Sequence, residues 1–205
     1  GQMAAYLAND RAGEVYLLPL RDSEAMVAAI GKITVTTPAS ATGVISLYIG
    51  GIRVQTTVVP TDDANTIALA LAAAIENKPE LPITVTHTDN SVSEGAVVVL
   101  TAKNKGAHGN NIDLRLNYLG SAGGETTPES LVLSITPMAG GAGAPELASG
   151  LANLQDRTFD FIINPYTDTA SLDAIKAFLS DSTGRWSYSQ QLYGHSFTAH
   201  SGTYG

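Results

Sequence analysis

The sequence contains no cysteine. That removes any disulfide framework, any thiolate nucleophile and any zinc–thiolate site, and it leaves the redox compartment open. Basic residues are scarce as well. Eleven Lys and Arg stand against nineteen Asp and Glu, for a net charge of −8. The acidic excess is spread along the chain and no basic cluster occurs. A phosphate-backbone partner is therefore disfavoured, and so is an anionic membrane surface. Long apolar runs are missing too. The longest, Ile67 to Ile75, covers nine residues, about half of the ~20 that a membrane span requires. No basic segment followed by an apolar one opens the chain, so no signal peptide is visible.

What is present fits a globular protein. Apolar residues make up 44% and charged residues 15% of 205 positions, enough for one or two domains with a sizeable core. Twenty glycines, with abundant Thr and Val, favour β-rich structure with tight turns. The chain opens on Gly1-Gln2 and stops within the run Ser201 to Gly205; it is read as part of a longer protein, and this part by itself is expected to stay monomeric.

Residues 1–30 predict a short helix around Met3 to Asn9, a strand over Glu14 to Leu20 and a helix over Arg21 to Ile30. From Lys32 the texture changes. Ile33 to Thr37 alternates apolar and polar residues, and Val44 to Ile49 and Ile52 to Val58 flank Gly50-Gly51. Two glycines between β-rich runs signal a hairpin, because both positions of a primed turn need φ > 0. Pro60 to Asp63 opens a helix with acids in its first turn. Ile67, Leu71 and Ile75 form its buried face, and Asn77-Lys78-Pro79 ends it. Four more β-rich runs follow: Ile83 to Thr88, Ala96 to Lys103, Ile112 to Tyr118 and Leu131 to Thr136.

Met138 to Pro145 (MAGGAGAP) is the low-complexity piece and reads as a linker. Beyond it, Leu147, Leu151 and Leu154 have helical spacing, with Pro145 suited to a first turn. Phe159 to Ile163 reads as a buried strand ended by Asn164-Pro165. Thr167 to Ser171, with Asp168, offers helix-capping groups. Leu172, Ile175, Phe178 and Leu179 make one helical stripe ending near Gly184. Tyr188 to Phe197 is again β-rich.

The fold class expected is therefore α+β. Residues 1–30 plus 145–205 form a discontinuous, incomplete α/β domain. Residues 31–137 form an inserted, β-rich, sandwich-like domain with one helix, and 138–144 is a Gly-rich linker.

Few residues invite chemistry. His87, His108, His195 and His200 make no HxH, HExxH or paired helical spacing. Gly194-His195-Ser196-Phe197-Thr198 lacks the closing glycine of a G-x-S-x-G nucleophile elbow. Asp181-Ser182-Thr183-Gly184 reads as a helix end, and an Asp, a His and a Ser make a triad only through geometry. Asp62/Asp63 and Asp168/Asp173 read as helix-start acids and a solvated helix face. No phosphate-cradling glycine motif occurs. Lys103 to Asn111 (KNKGAHGNN) has the residues of an anion-binding nest, but a tight strand connection is the plainer reading. Arg185-Trp186 with Tyr188 and Tyr193 suits either an interface anchor or core packing. No catalytic, cofactor-binding or metal-binding residue is assigned, and no cofactor.

Taken together, LANL at 151–154, FDFIINPYTDTASLDAIKAFL at 159–179, Gly184-Arg185-Trp186, QLYGHSFTA at 191–199 and GTYG at 202–205 resemble the core of contractile phage tail sheath proteins. The resemblance is to the Mu-like phage and prophage type. Ala102-Lys103, Gly106 and Gly109-Asn110 also match a structural loop of that family. The resemblance covers most of the chain and is strongest over 145–205. It implies a non-enzymatic virion protein, present in the host cytoplasm before assembly. Its partners would be other sheath subunits, the tail tube protein, and baseplate and tail terminator proteins, with neither nucleic acid nor membrane among them. It further implies helical polymerisation around the tube and contraction that drives the tube through the host envelope. The alternatives from other classes are a hydrolase or carbohydrate-binding module on the GHS or KNKGAHGNN loops, and a secretion-system sheath.

Overall fold

The computed structural model describes residues 2–88 and 95–199. It is an α+β structure. The chain divides into two compact units, one comprising 24–143 and the other 1–23 with 144–205.

The 24–143 unit holds two antiparallel sheets and one helix. Strands β1 (Ile30–Thr37), β2 (Gly43–Ile49) and β3 (Ile52–Val58) precede helix α2 (Ala64–Glu76); helix α1 (Gln2–Asn9) lies in the other unit. Strands β4 (Ile83–Thr88), β5 (Ala96–Ala102), β6 (Leu114–Leu116) and β7 (Val132–Ala139) follow. One sheet has the order β4-β5-β1-β7 and the other β3-β2-β6. The Gly50-Gly51 turn is the predicted one. Both glycines have positive φ, 55° and 82°, and Ile49 pairs with Ile52 across it. That fixes the register of the whole hairpin.

Helix α2 starts where the sequence places it. The Asp63 side chain accepts a 2.7 Å hydrogen bond from the Thr66 N–H, which satisfies one of the helix's orphan donors. Its apolar side, Ile67, Ala68, Leu71, Ala72 and Ile75, is buried and packs against β1, β3, β4 and β5. The small alanines let the helix backbone approach the sheets. Ile33, Val35, Ile45, Leu47, Ile49, Val54, Val58, Val98 and Leu100 complete one core fed by both sheets.

Two expectations for this region are corrected. Residues 21–30 form no helix. Met26 and Ala29 are buried in the β-rich unit, and Val27 pairs in antiparallel fashion with Ala142. The helix propensity of the segment yields to that tertiary pairing. The glycine-rich run is no free linker either. Met138 packs in the core, Asn110 donates to the Gly141 carbonyl and accepts from its N–H, and the Gly143 carbonyl accepts from Ala107. Backbone hydrogen bonding holds what side chains do not.

The second unit has a thinner core. Helices α3 (Leu147–Ala152) and α4 (Thr169–Phe178) and strands β8 (Phe161–Ile163) and β9 (His195–Phe197) make its framework. Strands β8 and β9 pair in parallel, Phe161 opposite His195 and Ile163 opposite Phe197. The two strands are separated by α4, as parallel pairing requires a crossover. Leu147, Leu151 and Ile175 are buried, with Leu18, Leu20, Ile162, Ala174, Phe178 and Leu179 packed against them. Asp168 caps α4 by accepting from the Ser171 N–H at 2.9 Å.

Four details differ from the sequence reading here. Glu14 to Leu20 joins no sheet; Leu18 and Leu20 pack on the cluster of Leu147, Leu151 and Ile175, while Leu17 is exposed. The helical stripe is rotated, with Ser171 buried and Leu172 40% exposed. Helix α4 stops at Phe178, and Gly184 closes a later turn through its N–H to the Ser180 carbonyl. The strand Phe159 to Ile163 is not buried, since Phe161 and Ile163 are exposed. The 202–205 segment and His200 lie outside the described residues.

Candidate assembly surface

The residues that could suggest hydrolysis are placed where they cannot cooperate as a nucleophile elbow. Ser196 sits in the middle of β9, and a strand's period of two points His195 and Ser196 to opposite faces. An elbow instead needs the serine at a strained strand-to-helix turn. Gly194 is there for packing: a Cβ would collide with the Phe159 carbonyl oxygen. The next N–H, of His195, donates to the Asp160 carbonyl at 2.9 Å. Asp181 lies in the turn after α4, and among the described residues no hydrogen bond joins it to His195 or Ser196. No group of three or more His, Cys, Asp or Glu that could hold a metal occurs among the described residues.

The KNKGAHGNN segment is a strand connection. It forms a 3-10 turn over Ala107–Asn111. Gly106 has φ 116° and Gly109 lies against the Ala29 and Ala102 side chains. Asn110 is committed to both backbone groups of Gly141. The N–H groups of Ala107 and Gly109 are already spent on the Gly143 and Gly106 carbonyls.

A polar cluster that sequence reasoning missed sits on the outer face of β2. Ile45, Leu47 and Ile49 point into the core, while Ser46 and Tyr48 point the other way and are nevertheless buried. The segment 117–125 covers them. Asn117 donates its N–H to the Ser46 carbonyl at 2.9 Å, and the Tyr48 hydroxyl donates to Glu125 Oε1 at 2.6 Å. Arg53 reaches the same oxygen at 3.3 Å, and the Leu119 N–H donates to Oε2 at 2.9 Å. Burial works to raise the Glu125 carboxyl, but the bonds from Tyr48, Leu119 and Arg53 outweigh it and hold the group below its ordinary range. The same bond to Glu125, aided by burial, pushes the Tyr48 phenol up. The Tyr118 ring meets that of Tyr48 at a tilt, 5.5 Å between centroids, and Arg115, paired with Asp113 at 2.6 Å, lies over Tyr118. Nothing near either residue in the sequence points to this cluster, since Tyr48 and Glu125 lie 77 positions apart.

In the second unit, Arg185 and Trp186 part company. Arg185 is buried and donates to the Gln155 and Arg157 carbonyls, with its guanidinium over the Phe159 and Phe178 rings. It is an internal brace between the 155–159 turn and α4. Trp186 is 36% exposed and contacts the His195 ring. Tyr188 and Tyr193 are exposed. On the sheet itself Phe161, Ile163 and Phe197 are 64%, 51% and 55% exposed, and the two phenylalanine rings touch at 5.9 Å between centroids. Phe161, Ile163 and Phe197 make an exposed apolar face on this sheet. Such a face marks an interaction site more readily than a catalytic one.

No helix is long and apolar enough to cross a membrane among the described residues. No family model matches the chain. A curated relative, the Mu-like prophage FluMu tail sheath protein of Haemophilus influenzae, is 33% identical over 199 residues. The match takes in 97% of this chain and spans 38% of that protein's length. The chain is thus similar, almost end to end, to one part of a prophage tail sheath protein.

Proposed function

We propose that this chain is part of a structural, non-enzymatic subunit of a contractile phage tail sheath. The observation that carries the reading is the match to a tail sheath protein along 97% of the chain. Subunits repeating by a heterologous contact that does not close into a ring build an open helical tube. In the virion such a tube encloses the tail tube and meets baseplate and terminator proteins at its ends; before assembly the subunit resides in the host cytoplasm. Shortening of the sheath drives the inner tube through the host envelope. In this scheme the unit 1–23 with 144–205 is the sheath's core domain, and 24–143 is an insertion carried by it.

Negative-stain electron microscopy of the full-length protein, beside this 205-residue chain, tests the reading. Striated tubes from the full-length protein and isolated particles from the shorter chain are expected. Isolated particles from both, with ester or peptide turnover lost in Ser196→Ala, would replace the structural reading with an enzymatic one.

A further inference from the structure

Residues 118–125 form a loop that bonds largely to itself. The Gly123 N–H donates to the Leu119 and Gly120 carbonyls, and the Glu125 N–H donates to the Gly120 carbonyl at 2.9 Å. Leu119 lies back on Gly123, where a Cβ would collide with it. The loop commits little apolar surface to the sheet beneath, since Tyr118 and Leu119 are 61% and 50% exposed. Its flanks are anchored separately: the Asn117 N–H bonds the Ser46 carbonyl, and Pro128 lies against Gly43. Between those anchors, among the described residues, the hydrogen bonds from sheet to loop converge on the Glu125 carboxylate, from Tyr48 on β2 and Arg53 on β3. On the β6 side Arg115 is paired with Asp113. Tyr118, its ring against Tyr48, is the loop's other titratable group.

We propose that residues 118–125 are a lid latched by Glu125, which swings off β2 as a unit when that carboxylate is neutralised and bares Ser46 and Tyr48 while both sheets stay folded. A loop bonded to itself moves without breaking its own bonds. Asn117, at its root, has φ 49°, a left-handed conformation that asparagine tolerates. The ionised carboxylate accepts from Tyr48 and Arg53 on the sheet and from Leu119 within the loop. Once protonated it must place a proton of its own, and it forfeits the charge-assisted bond from Arg53. Little buried apolar area is left to replace that hold, so the lid opens at lower free energy than the core that contains Leu47 and Val98. The three donors keep the carboxyl below its ordinary range. The latch is therefore closed at neutral pH and released as the pH falls through that lowered value. The inference does not depend on the sheath reading.

Thiol labelling tests it. This chain has no cysteine, so Ser46→Cys places a near-isosteric reporter beneath the lid. Val98→Cys reports on the core, and Thr61→Cys serves as an exposed reference. The reagent is a dipyridyl disulfide, which reacts with thiols in weak acid as well as at neutrality, and each rate is divided by that of the reference. At pH 7, Ser46→Cys combined with Glu125→Gln is expected to react at least roughly tenfold faster than Ser46→Cys alone, as the open population rises. Between pH 7 and pH 3 the single Ser46→Cys variant should accelerate, while the combined variant stays level. Val98→Cys should stay protected wherever Ser46→Cys has opened. Equal rates with and without Glu125→Gln would overturn the proposal. So would acceleration of Val98→Cys in step with Ser46→Cys, which marks unfolding of the whole unit. Should the combined variant fail to fold, the pH series on Ser46→Cys and Val98→Cys decides alone: a flat profile, or a shared rise, overturns the lid.

Discussion

The Tyr48 hydroxyl and the Glu125 carboxylate are joined by a 2.6 Å hydrogen bond across 77 positions of sequence. Through it the 117–125 segment is fastened over the outer face of β2, where Ser46 and Tyr48 would otherwise meet water. The carboxylate has Arg53 and the Leu119 N–H as further partners, so its removal strands three donors at once.

The pH dependence follows from the sign of the Glu125 shift. A carboxyl held below its ordinary value adds stability that is fully present above the unfolded-state pKa, about 4.3. That contribution is lost as the pH falls through the lower, folded-state value. Urea midpoints measured from pH 7 down to pH 3 should fall more steeply at the acid end for the natural chain than for Glu125→Gln. Parallel profiles would remove Glu125 from the account.

Leu47 is fully buried between the sheets and α2. Leu47→Ala should cost about 2–5 kcal/mol, the transfer loss plus the cavity left behind. Chemical denaturation at constant m-value measures it; a cost under about 1 kcal/mol would mean the core collapses freely around the site.

At the β2–β3 turn, Gly51 has φ 82° and no atom within 4 Å of where a Cβ would stand. Space is not limiting, so the effect of Gly51→Val isolates backbone strain of about 1–2 kcal/mol. Gly51→Asn, which tolerates the left-handed region, should recover most of that loss.

The cap of α4 offers a probe of the thin core. Asp168→Ala removes the acceptor for the Ser171 N–H and should destabilise the 144–205 segment by about 1 kcal/mol. Asp168→Asn should retain most of the cap. Hydrogen exchange at Leu172 to Ile175 reads the change locally, and uniform protection in all three proteins would exclude it.

Local chemistry made much of this fold legible. Gly50-Gly51 dictates its turn, Asp63 and Asp168 dictate their caps, and Asn77 ends α2, because each acts through atoms a few residues away. What sequence could not supply was the choice among long-range partners. Arg21 to Ile30 has helix-forming residues, yet Val27 is claimed by Ala142 and Met26 by the core. Between Met138 and Pro145 MAGGAGAP holds only glycines and alanines, yet its backbone finds Asn110. The stripe on α4 was misjudged by one position because Ser171, small and capped, fits beneath where Leu172 does not. The Tyr48–Glu125 bond was invisible for the same reason, since nothing near either residue announces the other. Phe159 to Ile163 was read as buried from its composition, and that composition is the reason its exposure in this chain is informative.

One consequence lies in mechanics. Val27 and Ala142 exchange two backbone hydrogen bonds, at 3.0 and 3.1 Å, close to where the chain enters and leaves the 24–143 unit. A tension applied along the polypeptide from residue 23 to residue 144 is borne first by that clip and not by the strands beyond it. While the clip holds, force running through the chain short-circuits 24–143, whose sheets ride along unloaded.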